Sequence, residues 1–203
     1  MTTTPTAAIA LGSRPVLADL LPAAGTRARA LVADAVLVLT GTLLVAGLSQ
    51  VLVPLPFTPV PLSLGTFGVL LVGAALGPLR ATVSLALYLL AGIAGVGWFA
   101  GGASGWQFAS FGYLLGMVLA AAVVGALARR GVDRSVWRTT LAGLLAGVVV
   151  YALGVPWLMV FLGVDLPTAL ALGVVPFLVG DAIKALLAAA LLPGAWALVG
   201  RLR

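Results

Sequence analysis

The chain contains no cysteine, no histidine and no glutamate in its 203 residues. The first absence excludes disulfides and thiol chemistry, and the first two together remove the usual zinc ligands. The third leaves aspartate as the only acid, at five positions. Charge of either sign is scarce, at 8% of residues. Soluble domains carry roughly 25%, because a water-facing globule must solvate its surface. What fills the sequence is apolar: 63% hydrophobic residues and a mean hydropathy of +1.24. The solvent of such a chain is mostly lipid. No histidine base, carboxylate dyad or nucleotide-binding motif stands in the sequence. The expectation is therefore a non-enzyme without cofactor or metal, and any ATP-powered step would belong to another subunit.

A helix needs about 20 apolar residues to cross the hydrocarbon core. Candidate spans are residues 30–53, 63–76, 81–96, 108–127 and 139–162, with a last one inside 168–199. The stretch PLPFTPVP at 54–61 separates the first two, since proline removes a donor and clashes with the preceding turn. Gly77-Pro78 makes the next turn, and the glycine-rich GWFAGGASG at 97–105 the one after. The final segment, at about 48 Å of helix, exceeds one crossing. A break at Pro176 and Gly180 would leave a short outer piece at 168–174 and a span from near Phe177 to near Arg201. That register puts Asp181 and Lys184 in the outer third of the membrane, and the alternative register puts Asp181 near its middle.

The arginines test this map. Arg14, Arg27 and Arg29 precede the first span, Arg80 lies between the second and third, Arg129, Arg130, Arg134 and Arg138 between the fourth and fifth, and Arg201 and Arg203 after the sixth. With six spans all ten fall on one side, where the cytoplasm collects basic residues. The expected fold is an all-α integral membrane protein of six transmembrane helices with both termini cytoplasmic. Residues 1–27 form its cytoplasmic tail, with a short interfacial helix near 16–21, and residues 28–203 its membrane domain. The tail lacks the basic and apolar regions of a signal peptide. The net charge of +6 is thus a topology signal, and no nucleic-acid partner is expected.

Lys184 is the only lysine and the only basic residue off the cytoplasmic side. Asp181 precedes it by three positions, so both share one helix face. The pair reads either as a self-neutralising structural clamp or as the polar part of an outward cavity, where ionisable groups inside spans are functional candidates by default. The glycine-rich loop, flanked by Trp98, Trp106 and Phe108, reads either as an aromatic interface belt or as backbone that exposes N–H groups to a ligand. The proline-rich loop from Pro54 to Thr66 reads as a stiff connector or a lid. Asp34 reads as a partner for Arg27, Arg29 or Arg80. Gly143-x-x-x-Gly147 is a small-residue pattern that packs spans within the chain or docks a partner.

In order along the chain, PFTPVPLSLGTFGVLLVGAALGPLRATVSLALYLLAGIAGVGWFAGG, SFGYLLGMVLA and VPFLVGDAIKA resemble the BioY family, the biotin-specific substrate-binding subunits of energy-coupling-factor transporters. The resemblance implies six helices, an outward-facing biotin pocket, and partnership with a transmembrane coupling subunit and ATPase subunits in a prokaryotic cell membrane. It carries the biotin contacts of the GD-x-x-K element onto Asp181 and Lys184, and those of the two outer loops onto Thr66, Gly101, Gly102, Ser104 and Gly105, with Tyr88 and Tyr113 as weaker matches. Many relatives place Gln just before the lid threonine, where this chain has Gly65. The leading expectation is biotin capture for an ATP-driven transporter. Two others stand beside it: a solitary biotin transporter, or a membrane subunit for another small vitamin. A non-transporting subunit would use Asp181–Lys184 only as a clamp.

Overall fold

The computed structural model describes residues 13–21 and 25–201. Among them run seven α-helices: α1 (Arg27–Gln50), α2 (Gly65–Leu76), α3 (Pro78–Ile93), α4 (Phe111–Ala128), α5 (Val136–Leu162), α6 (Leu166–Gly173) and α7 (Leu178–Arg201). The stretches α1, α4, α5 and Leu166–Arg201 are long and apolar enough to cross a membrane, and α2 and α3 are apolar but shorter. Leu31, Val32, Val36, Leu39 and Leu43 are exposed along α1. A helix apolar all round, with most of its surface uncovered, is stable only in an apolar solvent.

Proline and glycine set the helix boundaries. Pro78 occupies the first turn of α3, where its missing N–H costs nothing. Pro176 sits in the 3-10 turn Val175–Phe177, and α7 starts one residue later, close to the expected position. The proline-rich loop holds a feature that sequence did not anticipate. Strands β1 (Leu52–Val53) and β2 (Leu62–Ser63) pair antiparallel, making residues 54–61 the tip of a hairpin. Two-residue strands carry no readable alternation. Thr58 fastens the tip to α6 by donating to the Leu172 carbonyl at 2.7 Å.

Helix α4 is the centre, packed against α2, α3 and α5. It approaches its neighbours so closely that a Cβ on Gly116 would lie 2.7 Å from the Val150 backbone of α5, and one on Gly125 2.5 Å from Pro78 N. The Gly143–Gly147 pair divides. A Cβ on Gly143 would meet Ala185 of α7 at 2.8 Å, so this glycine serves packing within the chain, whereas at Gly147 the nearest atom is 3.9 Å away.

At one end of the bundle the arginines converge. Arg80 donates to Asp34 at 2.7 Å and to Asp19 at 3.1 Å, and Arg129 also binds Asp19. Arg134 donates to the Pro15 carbonyl at 3.0 Å and lies 4.1 Å over the Trp196 ring. The 3-10 turn Leu17–Leu20 lies in this network, and Val16 beside it is fully buried. Part of the expected tail is therefore docked against the bundle, while residues 1–12 and 22–24 lie outside the described ones. The opposite end holds the hairpin, the glycine-rich loop and the α5–α6 turn. There Gln50 donates to the Trp98 carbonyl at 2.7 Å, and Trp157 to that of Phe108 at 3.0 Å.

Candidate functional site

Asp181 lies in the first turn of α7 and Lys184 three residues on, so the helix brings both to one face. Lys184 is only 7% exposed. Its ammonium donates to Asp181 Oδ1 at 3.0 Å and to Thr66 Oγ1 at 2.9 Å, the latter from the first turn of α2. Tyr151, midway along α5, donates its hydroxyl to Asp181 Oδ2. An ammonium has three donors and a carboxylate about four acceptor sites, so the cluster keeps one N–H and further lone pairs free. Its net charge is zero. A buried pair of this kind is held by its added hydrogen bonds, because Coulomb attraction alone barely offsets desolvation.

Above the pair opens a cavity of ≈ 590 Å³ that reaches solvent. Hairpin residues 60–63 cover it, Tyr113, Leu114 and Met117 of α4 with Ser110 just before it form one wall, and Phe99, Phe108 and Phe177 close the rest. Apolar and aromatic walls with a few convergent polar groups are the usual composition of small-molecule sites. Among the described residues lining this cavity, the charged groups are Asp181 and Lys184 alone.

The structure brings Asp181, Lys184 and Thr66 together and places Tyr113 in the cavity wall, with the Tyr113 hydroxyl donating to the Gly173 carbonyl at 2.9 Å. Gly101 lines a second space, a groove of ≈ 730 Å³ between the hairpin and the glycine-rich loop. Gly102, Ser104 and Gly105 are not among the residues lining either space. The N–H groups of Gly102 and Gly105 bond the carbonyls of Phe99 and Gly92 at 2.9 and 2.8 Å, so they are spent on the loop's own turn and on the end of α3. All three glycines of this loop from Gly101 to Gly105 have positive φ, which explains their residue type without a ligand. Tyr88 is buried between α3 and α1, its hydroxyl donating to Ser49 at 3.0 Å, outside the cavity.

Tyr151 was not singled out from sequence. The signal was present: it is the one tyrosine in a 27-residue apolar helix, and a buried tyrosine hydroxyl needs a polar partner. Which partner is a matter of tertiary structure.

The chain is 38% identical over 141 residues to the "Biotin transporter BioY" of Thermotoga maritima, covering 68% of this chain and 81% of that protein. It is 34% identical over 154 residues to the "Biotin transporter BioY2" of Lactococcus lactis subsp. cremoris, covering 74% and 83%. Its fold superposes with TM-score 0.75 and 24% identity on the crystal structure of the S-component for biotin from an ECF-type ABC transporter, covering 86% of this chain and 95% of that one. The BioY family model matches residues 20–201. Nearly the whole chain is thus accounted for, and it belongs to the BioY family.

Proposed function

We propose that this chain is a multi-pass protein of a prokaryotic membrane that captures biotin from the outer side, as the substrate-specific subunit of an ATP-driven vitamin transporter. The observation that carries the reading is the neutral Asp181–Lys184 pair lining a largely apolar and aromatic cavity. A cyclic urea presents N–H donors and one carbonyl acceptor. Asp181 accepts from its N–H groups, the free Lys184 N–H donates to its oxygen, and the aromatic walls cover the thioether ring. The names of the relatives agree with this chemistry.

In the same reading the chain crosses the membrane six times with both termini in the cytoplasm. Helices α2 and α3 count as two crossings, and α6 with α7 as one. The support is the gathering of Arg14, Arg80, Arg129 and Arg134 at one end of the bundle and of the cavity's cover at the other. A transmembrane coupling subunit and ATPase subunits supply the power stroke, since transport here requires no chemistry from this chain.

The test is titration of the detergent-purified chain with biotin, with thiamine and riboflavin as controls. Saturable binding of biotin alone is expected, and no binding of biotin overturns the reading. Reconstitution of the chain by itself in liposomes tests the partner requirement. Sustained biotin accumulation without ATPases would replace it with a solitary transporter.

A further inference from the structure

Pro61, Ala100, Phe108 and Ser110 line both the cavity and the groove between the hairpin and the glycine-rich loop, so the two spaces adjoin. A ligand seated with its urea on Asp181 and Lys184 would direct its acid chain toward this boundary. The charge available along that route is small. Lys184 is the only cation among the described residues lining either space, and Asp181 and Thr66 already hold it. A ligand carboxylate brought to Lys184 would stand beside the Asp181 carboxylate, a like-charge contact that disfavours both ions. Arg80 and Arg129 are paired with aspartates at the far end of the bundle.

The groove offers one weak attraction for negative charge. Helix α4 begins beside it at Phe111, and Ser110 makes no side-chain capping bond there. A helix N-terminus of this kind favours an anion by about two- to fivefold. A salt bridge or charged hydrogen bond would be worth about 10- to 100-fold.

From this distribution we infer that the site selects its ligand by the bicyclic urea and leaves the acid unread. The chain end rests in the groove between hairpin and glycine-rich loop, with its terminus facing water. The ligand class then extends beyond the free vitamin to derivatives whose carboxyl is a neutral amide or ester, including conjugates through a lysine side chain. The inference rests on the biotin reading above and specifies which end of the molecule that site recognises.

Calorimetric titration of the full-length purified chain with biotin, biotinamide and biotin methyl ester tests it. The amide and the ester are expected to bind within about fivefold of biotin, the factor a helix N-terminus supplies. A loss beyond about tenfold for both overturns the inference, because it would require a charged partner for the acid. Biotin binding with that loss leaves the biotin reading standing, whereas absence of biotin binding removes the reading and the inference together.

Discussion

Tyr151 of α5 donates its hydroxyl to Asp181 of α7, on the carboxylate oxygen that Lys184 leaves free. The acid is thereby oriented from two sides, by a lysine of its own helix and by a tyrosine 30 positions away in sequence. Tyr151 touches the cavity as well, so it serves as both wall and positioning group.

Tyr151→Phe is expected to keep the fold and weaken biotin binding by about 10- to 100-fold, the worth of a hydrogen bond to a charged group. Tyr88→Phe is the contrast. It strips buried Ser49 of its partner, lowering stability by about 1 kcal/mol while binding stays within twofold. Calorimetry and thermal unfolding of both variants separate the two roles. Equal binding losses would remove the distinction.

Breaking the ion pair on one side leaves a buried charge unpaired, at a cost of about 3–5 kcal/mol. Lys184→Met should therefore unfold at lower temperature and lose biotin binding. The double variant Asp181→Asn with Lys184→Met should recover most of the stability but none of the binding. Wild-type affinity in the double variant would reduce the pair to a helix clamp.

Helix α4 has no room against α5. Gly116→Ala is expected to destabilise by about 1–3 kcal/mol, since its Cβ meets backbone that cannot rotate away. Gly147→Ala, with ordinary space around it, should be neutral. Melting temperatures in detergent compare the two, and equal shifts would contradict the packing described for α4.

The docked segment at residues 13–21 depends on Asp19. Partial burial works against its charge but is outweighed by hydrogen bonds from Arg129, the Val16 N–H and Arg80, which hold the carboxyl below its ordinary value of 3.8. A depressed acid stabilises the folded state above its unfolded pKa and loses that contribution as pH falls through the folded one. Hydrogen exchange around Val16 should thus stay slow at neutral pH and rise only below pH 3.8, whereas Asp19→Asn should raise it at neutral pH. Unchanged protection in Asp19→Asn would mean that burial of Val16 alone holds the segment.

Absence of cysteine makes topology directly measurable. Gln107→Cys, just after the glycine-rich loop, should on the six-span reading react with an impermeant maleimide added outside intact cells. Arg130→Cys, between α4 and α5, should react only after permeabilisation. Both positions are exposed. Labelling of both from the same side would break the six-span arrangement.

The sequence by itself determined the solvent, the helices and the lone basic residue away from the arginines. Each of these is a local quantity: apolar length, proline and glycine breaks, and the position of charges along the chain. It also placed Asp181 beside Lys184, because three residues on a helix return to the same face. The tertiary structure decided what surrounds that pair. Thr66 reaches Lys184 and Tyr151 reaches Asp181 only because α2, α5 and α7 pack together, a relation with no periodic trace in the chain. It likewise set Tyr88 apart from Tyr113 and Tyr151, although all three are tyrosines in apolar helices. The hairpin over the cavity belongs to the same class, since its two-residue strands are fixed by pairing across the loop and by the bond from Thr58 to Leu172 of α6.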